Sequence, residues 1–513
     1  MSETYRIYPA ALSGAVEAPA SRGALRRAIL AAALGGGASY LEGNILLSRE
    51  TRALLDGAAA LGAVWRQTEA GLEIIGLRRG EDKGRWAEKF STQSWRLRRP
   101  ERMEGREGGG GVTTAGAGTA SGAGAGAGGD AVPAGTASSV ALAGGGQMSP
   151  GYYIPGGQAG PLPRIDCSGA PAVLPLLLPL ALARRGGASF SGRELSALPL
   201  EAYREIFKDQ EVSWSFPERE SGGEEASGPF LTVAGSLRPG RFTLPSGTDP
   251  LLLAGLLFAL PLLKEDSSLI LEQPLAGRDE LDLSIRFLGD FGADVSRRQD
   301  ERVSVPGRQR LQSRFFRIEG SYSRAACYLT AGALGQDVEV KGLAARSLQA
   351  SRRILDFLET SGARLAQGSQ GGVKMLAPAG ASGSFPFLDC ADDPELIPWV
   401  ALAAALTPGG RLITGPKRND ETRGAWFKAC AEELTAIGCR ITWQGQGMLV
   451  EGVEALPGGQ ADSRGNGEIA MLIALAASVS REPVILAGAE AAEAIWPGFW
   501  QEYRRLGGRV EAV

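Results

Sequence analysis

Ser21, Arg22 and Arg27 stand at the head of an apolar stretch, AILAAAL, with the composition of a buried helix. A helix N-terminus offers unpaired backbone N–H groups, and guanidinium groups beside them would hold a phosphate or carboxylate. The same arginines can also be read as solvated residues of a first turn. The helix dipole opposes a cation there, and a bound anion would remove the conflict. Glu395 opens another apolar stretch, either as an acid favoured by the dipole or as a carboxylate placed to exchange protons with a ligand. Glu421 taken by itself reads as an ordinary surface acid.

Other chemistries are excluded by composition. The 513 residues contain no histidine, which removes Ser-His-Asp and Cys-His nucleophile systems and any imidazole metal site. The five cysteines, Cys167, Cys327, Cys390, Cys430 and Cys439, are widely spaced and odd in number, and no signal-peptide pattern opens the chain. Reduced, buried thiols in a cytoplasmic protein are expected. A formal charge of -3 gives no general attraction to nucleic acid or anionic membrane, so any anion must be held locally. The apolar runs, such as 171–183 and 250–263, fall short of the roughly 20 residues that span a bilayer. No cofactor, no metal and a monomeric state are expected.

The elements that must position these residues repeat. Six Ala/Leu-rich segments begin near Ala24, Pro171, Pro250, Arg324, Glu395 and Ile469, and all but the first two are about 70 residues apart. Each runs through a Gly or polar turn into a strand-like stretch: GGGASYLEG, GGASFSG, DSSLILEQ, QDVEVKG, GGRLITG and EPVILAG. An amphipathic helix follows and usually closes on a Gly turn, as in LLDGAAALGAVW, IRFLGDFGADV, ILDFLETSGARL, CAEELTAIGCRI and YRRLGGRV. Leu200 to Trp214 fills the sixth place without glycine. A glycine just past a helix fits a left-handed C-cap. One long interval separates the first two units, and within it residues 104–150 are almost wholly Gly, Ala, Ser and Thr, too poor in apolar surface to fold.

Six βαβαββ-like repeats with local motifs in this order resemble the EPSP synthase (3-phosphoshikimate 1-carboxyvinyltransferase) family. Ala18-Pro19-Ala20-Ser21-Arg22-Gly23-Ala24-Leu25-Arg26-Arg27 is similar to the family's P-G-S-K-S-x-x-x-R segment. Ser48-Arg49-Glu50-Thr51 is similar to S-D-D-T, and Arg317-Ile318-Glu319-Gly320 to the V-E-G strand where the chain returns to its first domain. LAGRDELDLSIRFLGDFGADV resembles the S-K-P-Y-I-D-M-T-L region, Asp420-Glu421-Thr422 the K-E-T-D-R segment, and Ile495-Trp496-Pro497-Gly498-Phe499-Trp500 the T-F-P-D-Y segment.

The resemblance implies a two-domain inside-out α/β barrel, three repeats per domain. The first domain would comprise 1–19 and 317–513 and the second 20–316, with a Gly/Ala-rich insertion at about 80–150 expected to be disordered. It also implies transfer of the enolpyruvyl group of phosphoenolpyruvate to the 5-hydroxyl of shikimate 3-phosphate, with release of phosphate. Arg22, Glu395 and Glu421 would then be catalytic. Ser21, Arg27, Ser168, Ser246, Thr248 and Arg423 would bind substrate.

The same alignment of motifs shows replacements. Arg22 stands at the family's catalytic lysine and, with a pKa above about 12, is a poor proton shuttle. Val173 or Leu174 replaces one arginine, Leu198 of Ala197-Leu198-Pro199 another, and Asp249-Pro250-Leu251 replaces S-S-Q. Glu468 stands where an arginine meets phosphoenolpyruvate, Arg464 substituting only if its loop is rearranged, and Ala494 takes the place of a late lysine. A catalytically degenerate binding or regulatory protein on the same fold is the alternative.

Overall fold

The computed structural model describes residues 3–76, 161–216, 230–272, 278–298, 302–369, 371–378, 387–390, 393–415, 421–444 and 447–513, except the side chains of 421–424 and 444. Met1–Arg78 and Pro161–Val513 form one compact unit. The insertion read at about 80–150 lies outside the described residues.

Among the described residues, and leaving aside the four-residue helix Ala492–Ile495, twelve helices alternate in character. In chain order they are α1 (Arg22–Leu34), α2 (Arg49–Ala60), α3 (Val173–Arg185), α4 (Leu200–Ile206), α5 (Pro250–Ala259), α6 (Arg278–Asp290), α7 (Tyr322–Ala333), α8 (Ile354–Thr360), α9 (Ile397–Ala405), α10 (Glu421–Ala436), α11 (Gly467–Ser478) and α12 (Phe499–Arg505). The odd-numbered ones are apolar on almost every side and buried. The even-numbered ones follow them as outer helices. The glycines after α2, α6, α8, α10 and α12 (Gly62, Gly292, Gly362, Gly438 and Gly507) all have φ between +83° and +116°, the left-handed stop expected of them. The glycine-free sixth place keeps the same order of helix, turn and strand. Its helix stops at Ile206, and Val212–Ser215 is already a strand.

Each unit carries a four-stranded sheet with one parallel edge pair and otherwise antiparallel neighbours. Three sheets are completed by exchange between distant parts of the chain, one of them by Thr4–Tyr8 lying antiparallel between Val484–Ala487 and Arg509–Ala512. Strand Ser13–Glu17 pairs in parallel with Asp337–Lys341, and Phe315–Arg317 pairs in parallel with Ala38–Glu42. The two crossing segments touch at a bridge between Ala20 and Gly320, where a Cβ on Gly320 would lie 2.7 Å from that of Ala18. Two separate hydrophobic cores result. One is built from residues between Ile7 and Ala18 and between Tyr322 and Leu506, the other from residues between Ala20 and Ile318. The fold is therefore the two-domain α/β barrel of six repeats that the sequence implied.

Backbone approach sets the spacing of the second core. Pro179 within α3 has no N–H, so the carbonyl of Pro175 loses its helical donor. Gly255 of α5 packs there, and a Cβ at Gly255 would lie 2.5 Å from that oxygen and 2.7 Å from the carbonyl of Leu176. Neither atom is the end of a flexible side chain. Gly255→Ala must push α5 off α3 and is expected to cost about 2 to 3 kcal/mol, read as a lowered urea midpoint with unchanged slope.

Candidate functional site

The first turns of α1, α2, α7, α9 and α11 bring together the charged groups of the site. Ser21 caps α1, its Oγ accepting from the N–H of Ala24, and Ser48 caps α2 by accepting from Thr51 at 3.2 Å. Ser321 and Asn466 do the same for α7 and α11. Each such cap contributes on the order of 1 kcal/mol and fixes where the next residues point. Those residues are Arg22 at the start of α1, Arg324 on α7 and Glu468 on α11, with Glu395 in the single turn Pro394–Leu396 that leads into α9.

Arg22 and Arg324 line a cavity of ≈ 250 Å³ together with Ser48, Thr51, Leu47 and Ile495. Ala494, at the position of the absent lysine, also lines it. Arg324 lies within electrostatic reach of Arg22, Glu395, Glu468 and Glu50, and burial with the Arg22 charge pushes its guanidinium down to about 10. Glu468 is pushed up to about 7, first by burial and then by Glu395, against the pull of Arg22 and Arg324. Cys430 of α10 also faces it electrostatically.

A carboxyl at this place is therefore partly neutral near pH 7. In the unfolded chain it titrates near 4.5, so between 4.5 and 7 the folded protein holds a proton that the unfolded chain has lost. Stability falls as pH rises through that window and is level on either side. Glu468→Gln removes the titrating carboxyl. Relative to the native chain, the variant should gain on the order of 2 kcal/mol between pH 5 and pH 8, measured by urea unfolding at both.

The remaining residues singled out in the sequence lie elsewhere. Arg27 is 1 % exposed and tied inside the core. Its Nε donates to Ser284 Oγ (2.8 Å), Nη1 to the carbonyl of Gly23 (3.0 Å), and Nη2 to the carbonyl and Oε2 of Glu280 (2.9 and 2.5 Å). Ser168 sits in a half-buried turn, its N–H donating to Asp166 Oδ1 at 2.9 Å, and Arg49 fills the space over Gly169. Ser246 is exposed in a turn, and Thr248 is buried with its Oγ1 donating to the carbonyl of Pro245 at 2.7 Å. Glu421 and Arg423 open α10 in backbone, but their side chains lie outside the described residues. Arg464 is held by Glu432 and Glu433 at 2.8 and 2.6 Å.

Arg324 had no motif to point to it. The signal that drew attention to Arg22, an arginine opposing the dipole in the first turn of a buried helix, applies equally to it. No group of His, Cys, Asp and Glu that could hold a metal occurs among the described residues, and no described helix is long and apolar enough to cross a membrane.

Residues 241–503 match the model of EPSP synthase (3-phosphoshikimate 1-carboxyvinyltransferase). A 3-phosphoshikimate 1-carboxyvinyltransferase of Clostridium perfringens is 31% identical over 345 residues, 67% of this chain and 79% of that protein. The chain belongs to the EPSP synthase family. Another member, from Clostridium beijerinckii, is 26% identical over 505 residues, covering 98% of this chain and 97% of its own. Among solved structures, EPSP synthase from Acinetobacter baumannii superposes with a TM-score of 0.69 at 17% identity, covering both chains fully. The enolpyruvyl transferase NikO from Streptomyces tendae gives 0.63 at 15%, over 100% of this chain and 99% of its own. These two likenesses concern the fold.

Proposed function

We propose that this EPSP synthase family member transfers the enolpyruvyl group of phosphoenolpyruvate to the 5-hydroxyl of shikimate 3-phosphate and releases phosphate. The observation that carries this reading is the meeting of Arg22 and Glu395, from the two different cores, within reach of the same neighbours. The hydroxyl oxygen would bond to C2 of phosphoenolpyruvate while C3 takes a proton. Loss of that proton then expels phosphate from the tetrahedral intermediate. Glu395, exposed at its turn, is suited to take the hydroxyl proton, and Glu421 is proposed to serve C3. Arg22 and the helix N-termini would carry the anionic groups. Partial neutrality of Glu468 at pH 7 limits the repulsion that a carboxylate would otherwise exert there.

We take the two cores as two domains, 1–19 with 317–513 and 20–316, and the protein as a monomer. Five buried cysteines without disulfides favour a cytoplasmic setting.

A second reading, a binding or regulatory protein without turnover, is favoured by Ala494 and Glu468 at positions where the family resemblance implies cations. Phosphate release from the native chain given both substrates decides between them. Release that is lost in Glu395→Ala supports the enzyme, and no release from folded protein supports the second reading.

A further inference from the structure

We propose that Arg324 is the second arm of an anion clamp whose first arm is Arg22, and that the cavity between them takes a phosphoryl group. The inference rests on the enolpyruvyl-transfer reading and assigns to Arg324 a ligand contact that none of the sequence motifs suggested.

The arginines of α1 provide the contrast. Arg26 pairs with Glu50 at 2.5 Å, and Arg27 is bound by Glu280 and Ser284. These two hold helices together. The guanidinium groups of Arg22 and Arg324 form no hydrogen bond or ion pair among the described residues, and both border the same ≈ 250 Å³ cavity. Glu395, Glu468 and Glu50 act on Arg324 only through space.

Two guanidinium groups facing one small space repel each other, and removal from water adds to the cost. The depressed proton affinity of Arg324 registers both effects. Glu395, Glu468 and Glu50 offset part of this through space, and an anion between the two groups would offset the rest. The first turns of α1, α2 and α7 border the cavity as well, and their dipoles favour negative charge. Leu25, Leu47 and Ile495 supply an apolar wall that lowers the local dielectric and strengthens the contact. Two planar forks suit a group with three terminal oxygens better than a carboxylate with two. The volume suits a phosphoryl group with a few attached atoms.

The test is calorimetric titration of the full chain with inorganic phosphate and, separately, with phosphoenolpyruvate at fixed ionic strength. The native protein is expected to bind at least the phosphoenolpyruvate. Arg324→Gln should weaken binding tenfold or more while leaving the unfolding midpoint unchanged or raised. Arg324→Lys, which keeps the charge and loses the fork, should fall between, and it serves as the probe if the Gln variant does not fold. Arg481→Gln, on the surface beside Glu454, is the control. Binding of inorganic phosphate alone or of both ligands identifies the phosphoryl group itself as the feature recognised. Binding of phosphoenolpyruvate alone identifies the ester as the source.

Unchanged affinity in a folded Arg324 variant, or binding of neither ligand by the native chain, overturns the clamp. Binding that depends on Arg324 without phosphate release in the two-substrate assay upholds the clamp and refutes the enzyme reading. Normal release with normal affinity in Arg324→Gln does the reverse.

Discussion

Arg22→Ala is expected to lower kcat/KM for phosphoenolpyruvate on the order of 10²-fold while leaving the unfolding midpoint within the error of measurement. Arg22 is the first residue of α1, is exposed, and makes no side-chain bond among the described residues that the fold would lose. Its charge opposes the dipole of α1 and repels Arg324, which offsets its attraction for Glu50 and Glu468, so removing it changes the stability of the folded protein little. With substrate present the balance reverses. A guanidinium bound to an anion in a partly apolar cavity contributes about 3 kcal/mol, near the upper end for charge-assisted bonds, which sets the expected fold-change. Arg22→Lys should retain part of the binding through its charge. Steady-state phosphate release and urea unfolding of the same preparations are the measurements. A fall in stability that matches the fall in activity would show that Arg22 supports structure instead.

Glu280→Ala is expected to be the most destabilising change to a charged residue at the α1–α6 contact, at about 3 kcal/mol. The guanidinium of Arg27 is buried and has one charged partner, Glu280, which reaches it from α6. Burial pulls its pKa down, and Glu280 is the group that counters this. Deleting the carboxylate leaves a buried cation held by two carbonyls and a hydroxyl, a defect typically worth 3–5 kcal/mol. The lower figure applies because the Glu280 side chain is 37% exposed and water can partly replace it. The double variant Arg27→Met/Glu280→Leu should recover most of the loss, since apolar groups of similar volume often replace such pairs without penalty. Urea midpoints of the three variants test this. The same experiment examines the substrate-binding role that the motif implied for Arg27. Four donor contacts already go to protein atoms, so KM should change less in Glu280→Ala than stability does.

The repeat was legible because it is written in local signals. Buried helices need unbroken apolar stretches, outer helices need one apolar face, and their ends need glycine where φ turns positive. Hence Gly62, Gly292, Gly362, Gly438 and Gly507 marked five of the six helix ends. At the sixth no such residue stands, and the helix still ends at Ile206 ahead of the strand Val212–Ser215. Ser21, Arg22 and Glu395 were also readable, because cap and first-turn positions follow from the chain alone.

Partners as far apart as Arg27 and Glu280, 253 residues along the chain, were not readable. Arg22 and Arg27 look alike in sequence, on one helix and five positions apart. Tertiary packing buries one against Glu280 and presents the other to a cavity with Arg324. The charge of Glu468 was equally beyond the sequence, which could only show a carboxylate in place of a cation. Burial beside Glu395 is what raises its proton affinity, and burial is a property of the packed structure, since side-chain electrostatics depend on distance and dielectric rather than on order along the chain.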